Sequence, residues 1–367
     1  MIAPLLTLAA AAAAAPAGLP GVWEGTIGDL PVRACFTGRE SYTFGAYYYL
    51  SRRQLIALNE VEGSASAFYE GNGGLAAQPR WLIENAAGDR LAGRWTGGAR
   101  TLPVRLRRVA RQEGEDSPCG SMAFHQPRLE GVHVARTRAS AEGVVYTKLA
   151  LDHGGRFDVT VESFALDGDG AAIRQINAAL ARGFAGDPPE WLGCIQDSLS
   201  DGGFEGSFAE ILAPAMVSRR WLSVSHHWDG FCGGAHPDSS NTYRLFDLES
   251  GREADLYDWL NARAVRREGP RGTGEESKTL TPALRAAILA GWRAEASECE
   301  EVVRDSDYWN IGLTRQGITF SPSLPHVVQA CEEDFTMSFA RLQPFLSAEG
   351  AANARALQAE PARPANN

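Results

Sequence analysis

The sequence predicts a two-module protein: an N-terminal all-β, barrel-like meander and a C-terminal α+β module with helices on an antiparallel sheet. Three observations carry this reading. Between Gly21 and Val109, short apolar runs recur about every ten residues, separated by Gly, Asp, Asn and Ser, with no helical periodicity. Beyond Ala171, helical-period stretches alternate with strand-like ones. The polar, Pro- and Gly-containing "ARQEGEDSPCG" separates the two regimes. A chain of 367 residues is long enough for about two hydrophobic cores. The expected organisation is a signal peptide over 1–17, an all-β domain over 18–109, a linker over 110–127, an α+β domain over 128–349 and a disordered tail over 350–367.

The chain begins "MIAPLLTLAAAAAAAPAG", an apolar run ending in small residues, with Ala15-Pro16-Ala17 as an A-x-A cleavage site. We read it as a cleaved secretory signal, although no Lys or Arg precedes the run; the alternative is a disordered alanine tail. The run is too short to anchor as a membrane span, so no transmembrane segment is expected in the mature chain. A periplasmic or secreted location follows.

Eight runs then read as strands: "VWEGTI", "VRACF", "GAYYYL", "QLIAL", "AFYEG", "RWLIE", "LAGRWT" and "LPVRLRRV". The aromatics among them (Tyr47, Tyr48, Tyr49, Phe68, Tyr69, Trp81, Trp95) are read as core and interface packing in preference to a ligand cavity. In the second module, "VVYTKLAL" and "FDVTVESF" form a hairpin around "DHGG". A helix follows with Ile173, Ile176, Leu180 and Phe184 on one face. "DGDG" at 167–170 invites a calcium reading, but the twelfth loop position falls on Ala178, which cannot ligate. Asp169 is therefore expected to cap the helix. Strands are expected over 204–212, 216–228 and 242–248, with a short helix at "DLYDWLNA" and a surface excursion over 263–280. Thr281-Pro282 is an N-cap and N1 pair that should start a helix running to about Val303.

Composition excludes some functions. A net charge of −10 argues against nucleic acid, whose phosphates require clustered Lys and Arg. The six cysteines (Cys35, Cys119, Cys194, Cys232, Cys299, Cys331) form no C-x-x-C pair, which disfavours a zinc ribbon or a thioredoxin-like site. In an exported chain an even count suggests disulfides, with about 15 complete pairings open. Our choice pairs them in chain order: 35 with 119, 194 with 232, 299 with 331.

The densest cluster of chemically active side chains is "HHWDGFCGGAHPDSS", residues 226–240. One of His226 or His227 could join His236, Asp229 and Asp238 around a metal, but adjacent residues on a strand point to opposite faces. We favour a hairpin loop in which Asp229-Gly230 and Gly233-Gly234 supply the turn and His236 bonds locally. His236, Asp238 and Asp229 remain the candidate ligand-binding residues; no metal and no cofactor are expected. Cys232 beside these histidines would be a nucleophile only if it were reduced. No nucleophile elbow, H-E-x-x-H, Walker A or dinucleotide fingerprint is present, so no catalytic residue is assigned and the chain is read as a non-enzyme.

Two resemblances sharpen this. The first module, with Gly21-Val22-Trp23-Glu24-Gly25, Gly45-Ala46-Tyr47-Tyr48-Tyr49 and Leu91-Ala92-Gly93-Arg94-Trp95, resembles small β-domains of bacterial envelope proteins. Residues 145–347 resemble the RsiV-type domain, the extracytoplasmic part of lysozyme-responsive anti-sigma factors. The resemblance rests on Ile176-Asn177, Gly233-Gly234-Ala235-His236, Phe246-Asp247-Leu248 with Ser250-Gly251-Arg252, the segment Leu256–Leu260, Gly317-Ile318-Thr319-Phe320-Ser321-Pro322 and Leu342-Gln343-Pro344-Phe345-Leu346. It departs from the family at Ser323-Leu324, where an aromatic is usual. No sigma-binding segment or membrane span precedes the domain, so an anti-sigma role is not expected.

The resemblance implies helices packed on an antiparallel sheet and a binding role at the cell envelope. The expected partner is an envelope protein, such as a lysozyme-like protein, or a peptidoglycan-type glycan. The alternatives are a metal-assisted envelope hydrolase using the 226–240 loop, and an envelope assembly or stress scaffold.

Overall fold

The computed structural model describes residues 18–361 except 40–41, 63, 72–77, 115, 271–272, 274 and 294–296. The signal-peptide segment 1–17 lies outside the described residues. The eight apolar runs become eight strands: β1 (Gly21–Ile27), β2 (Leu30–Gly38), β3 (Thr43–Tyr49), β4 (Ile56–Val61), β5 (Ser64–Glu70), β6 (Arg80–Ala87), β7 (Arg90–Gly97) and β8 (Arg100–Arg111). Each pairs antiparallel with its neighbour, and β1 pairs with β8 to close a barrel. Alternation sorts the faces: Leu91 and Gly93 point inward while Arg90, Ala92 and Arg94 face water. Trp23, Phe36, Tyr47, Phe68 and Trp81 are fully buried and fill the interior, Tyr47 and Trp81 with ring centroids 4.9 Å apart. Tyr47, Phe68 and Trp81 are thus barrel core, Tyr48 packs against Phe124 at the outer face, and Tyr49, Tyr69 and Trp95 are half-buried. Glu70 accepts bonds from Tyr47 Oη (2.5 Å), Trp95 Nε1 (2.6 Å) and Trp81 Nε1 (3.3 Å), satisfying three donors with one carboxylate oxygen.

The segment expected as a linker is instead packed structure. After a 3-10 turn at Pro118–Gly120, α1 (Met122–Leu129) buries Phe124, His125 and Arg128. Phe124 and Cys119 pack on the outer face of β1–β3, against Val22, Phe44, Ala46 and Tyr48, and Tyr48 Oη donates to Phe124 O at 2.6 Å. Polar composition hid this, because only Cys119 and Phe124 supply fully buried apolar side chains there.

A seven-stranded sheet forms the centre of the second module, in the order β15-β14-β13-β12-β11-β10-β9. Its strands are β9 (His133–Ala141), β10 (Val144–Asp152), β11 (Asp158–Leu166), β12 (Ser207–Val217), β13 (Trp221–Phe231), β14 (Asp238–Asp247) and β15 (Glu253–Ala254). All neighbours are antiparallel except β11 and β12, which run parallel across a crossover containing α2 (Ala171–Leu180) and α3 (Glu190–Gly202). Parallel pairing needs such a crossover. The cap on α2 differs from expectation: Gly170 is the N-cap and no side chain caps it. Asp167 instead takes a two-pronged ion pair from Arg138, both contacts at 2.7 Å.

The excursion over 263–280 is a hairpin, β16 (Val265–Glu268) with β17 (Ser277–Leu280), whose ends Val265 and Leu280 enter the core. The helix begun at Thr281, whose Oγ1 accepts from Leu284 N at 3.3 Å, stops early. It forms α4 (Pro282–Ile288), and α5 (Ser297–Asp305) is separate. Between them Gly291 holds φ of +82°, in the left-handed region that ends helices. A three-stranded sheet, β18 (Trp309–Leu313), β19 (Gly317–Pro322) and β20 (Phe335–Ser338), closes the module with α6 (Phe339–Leu342) and α7 (Ala348–Ala359). Residues 350–359 therefore belong to a packed helix, with Ala354 and Leu357 buried in the largest core, and not to a tail. No helix among the described residues is long and apolar enough to cross a membrane.

Cys35–Cys119, Cys194–Cys232 and Cys299–Cys331 are disulfides, the pairing in chain order. They join the barrel to the segment before α1, α3 to the end of β13, and α5 to the turn after β19.

Candidate functional site

The register of β13 with β14 sets Ser223 opposite Leu245, Ser225 opposite Tyr243 and His227 opposite Asn241. These side chains share one face of the sheet because successive residues alternate. The other face, carrying Leu222, Val224 and Phe246, packs with Ile176 and Leu180 of α2. On the first face the three-stranded sheet leans over β14 and leaves a cleft.

The cleft has two compartments that share Tyr243 as a wall. The inner one, about 440 Å³, is lined by Ser223, Leu245, Tyr257, Lys278, Trp309 and Asn310 among others. The outer one, about 400 Å³, is lined by Ser225, His227, Asn241, Ser321, Glu332 and Asp334 among others. Tyr243 Oη donates to Asp334 at 3.3 Å, and Ser321 Oγ donates to the same carboxylate. Burial, reinforced by the Asp334 charge, raises the Tyr243 phenol above its usual range, so it stays a donor.

The loop after β13 lies at the outer end. β13 continues through Asp229-Gly230 to Phe231, so only Gly233 (φ +103°) and Gly234 (φ +89°) make the turn that the sequence assigned to both pairs. His236 stacks on His326, centroids 4.2 Å apart and rings nearly parallel, and its Nδ1 lies 3.1 Å from Pro237 O. Gln329 Nε2 donates to Ser239 O, a second tie between this loop and the segment before β20. Asp238 Oδ1 accepts from Ser239 N at 2.9 Å, and Asp229 sits in β13 opposite Ser239.

The adjacent histidines diverge. His226 Nε2 is 3.2 Å from Glu210 Oε1 on the helix-covered face, while His227 Nδ1 is 2.8 Å from Asn241 Oδ1 beside the cleft. Cys232 is held in the disulfide with Cys194. Among the described residues no group of three or more His, Cys, Asp or Glu side chains is placed to hold a metal, so His236, Asp229 and Asp238 do not converge on one point.

Ser223, Tyr257, Lys278 and Asn310 were missed by sequence reasoning. They come from four separate elements, and only Tyr257 lay within a noted motif. Ser223 and Asn310 share a weak signal, a polar residue between apolar neighbours on a strand, as at Ser223 between Leu222 and Val224 and at Asn310 between Trp309 and Ile311; Tyr257 and Lys278 share none.

No protein-family model matches the chain, and no curated protein does. Among solved structures, two similar chains are DUF3298 proteins. A member from Bacteroides fragilis is 12% identical, with a TM-score of 0.39, over 62% of this chain and 96% of that one. One from Pseudomonas aeruginosa is 12% identical, with a TM-score of 0.34, over 60% of this chain and 94% of the other.

Proposed function

We propose that this is an exported, non-catalytic cell-envelope binding protein that recognises a cell-wall component in the cleft around Tyr243. The observation that carries the reading is the cleft itself. Its walls come from β13, β14 and the three-stranded sheet, and its rim is tied in place by the His236–His326 stack and the Gln329–Ser239 bond. A preformed recess lined by polar groups binds without the cost of ordering a loop. Of the motifs that resemble the RsiV-type domain, "GITFSP" supplies the strand bearing Ser321 and "LYDWL" supplies Tyr257 to these walls. Three disulfides fit an oxidising, extracytoplasmic compartment.

A second reading, a lysozyme-like protein as partner, is favoured by the net charge of −10, which complements a basic surface. Calorimetry of the full chain with soluble muropeptides and with lysozyme tests both. Binding of muropeptides supports the first reading and binding of lysozyme the second. Binding of neither overturns the proposal.

A further inference from the structure

We propose that the inner compartment, beside Ser223, binds an uncharged sugar unit of a glycan. This rests on the reading of the cleft as a binding site and names the chemistry of the compartment that Ser223 lines. Ser223 is 1% exposed, and its Oγ has no hydrogen-bond partner. An unpaired buried hydroxyl costs about 1–3 kcal/mol, so alanine or valine would stabilise the fold better at this position. Ser223 lines the compartment of about 440 Å³, a volume within the roughly 300–1,000 Å³ usual for small-ligand pockets. Asn310, half-buried in β18 of the three-stranded sheet, lines the same compartment and has a carboxamide with no partner among the described residues. One hydroxyl and one carboxamide together offer donors and acceptors to a ligand that has both.

The charges around the compartment point away from an ionic ligand. Arg244 holds Glu253 through two bonds, at 2.9 and 2.8 Å. Lys278 Nζ holds Asp255, whose other oxygen caps Tyr257 N at 3.0 Å. Two cations and two carboxylates are thus mutually neutralised, and an anion or a cation would have to displace an existing partner. The phenols are also committed, Tyr257 Oη to Trp309 O and Tyr243 Oη to Asp334. What these residues still present is ring surface, suited to the C–H faces of a pyranose. Hydroxyl-bearing edges for Ser223 and Asn310, apolar faces for the rings and no net charge together describe a neutral sugar.

The test is calorimetry of the full chain with three probes: an N-acetylglucosamine tetramer (neutral), tetragalacturonate (anionic) and trilysine (cationic). The neutral tetramer is expected to bind, with a Kd unchanged between about 0.05 and 0.5 M salt, because no ion pair forms. Ser223→Ala and Asn310→Ala are each expected to weaken it roughly tenfold. Ser223→Ala should meanwhile melt at the same temperature as the parent or higher, a combination that a merely structural role would not produce. The proposal is overturned if the tetramer does not bind, if either charged probe binds more tightly, or if Ser223→Ala binds it as well as the parent does. Muropeptide binding separates the two levels. If muropeptides bind parent and Ser223→Ala alike, the sugar assignment falls and the cleft reading stands. If neither muropeptides nor lysozyme binds, both fall.

Discussion

The ring of Tyr243 lies against the backbone of Gly312 so closely that a Cβ at residue 312 would stand 2.7 Å from the ring's Cγ and Cδ1. Gly312 sits inside β18, where a glycine ordinarily weakens a strand. Here the missing side chain lets the ring that divides the cleft settle on the three-stranded sheet. Gly312→Ala must push Tyr243 into one of the compartments and loosen its bond to Asp334. The expected result is a loss of about 1–3 kcal/mol in urea unfolding, together with weaker ligand binding. Unchanged stability and binding would show that the sheet gives way instead.

His125 makes stability depend on pH. Burial, and then the Arg128 charge, push its imidazole down from the usual 6.5 to about 3, against the opposing bond between Nε2 and Cys119 O at 3.0 Å. Between about pH 6.5 and 3 the unfolded chain therefore binds a proton that the folded chain refuses. His125's contribution is complete above about pH 6.5 and falls by roughly 1.4 kcal/mol per pH unit as the medium acidifies through that window. Urea midpoints measured from pH 7 to 4 should show this slope, and His125→Gln should reduce it.

Arg128 joins both modules at one buried point. Its side chain is fully buried and donates to Arg53 O (3.0 Å), Arg156 O (2.6 Å) and Glu205 Oε1 (2.5 Å). Its guanidinium carbon also lies 4.2 Å from the Phe157 ring centroid. Burial raises the Glu205 carboxyl and Arg128 holds it down, so Glu205 relies on this partner to stay ionised. Arg128→Met should cost about 3–5 kcal/mol, because it strands a buried carboxylate. Adding Glu205→Gln should recover part of that loss; a double-mutant cycle with no coupling would disprove the dependence.

The disulfide between Cys194 and Cys232 fastens the start of the "GGAH" loop to α3. Replacing both cysteines with alanine should lower stability by about 2–4 kcal/mol. Amide exchange should quicken at residues 233–236 and leave the barrel strands protected. A peptide map under non-reducing conditions should recover the three linked pairs 35–119, 194–232 and 299–331.

Legibility in the sequence followed the strength of local pattern. The eight barrel strands were readable because short apolar runs recur at regular spacing and are bounded by turn residues, even though β1 to β3 lack a clean alternation because α1 covers their outer face. Strand β9, "HVARTRASA", has no apolar face to read, since it is an edge strand with most of its side chains half-buried or exposed. Helix α3 carries a local signal, with Trp191, Ile195 and Leu199 at helical spacing after Pro188-Pro189. In the "HHWDGFCGGAHPDSS" cluster, strand alternation separated His226 from His227 as expected. Nothing local revealed that His236 would meet His326, ninety residues later.

The sequence by itself determined the number and order of the barrel strands, the layered second module and a cysteine content suited to disulfides, because burial period and turn chemistry act within a few residues. Tertiary structure decided what the polar residues do. Ser223 became an unpaired hydroxyl in a cleft, Arg128 a buried cation and the expected linker a packed helix, because each depends on partners brought close only when distant strands and helices pack.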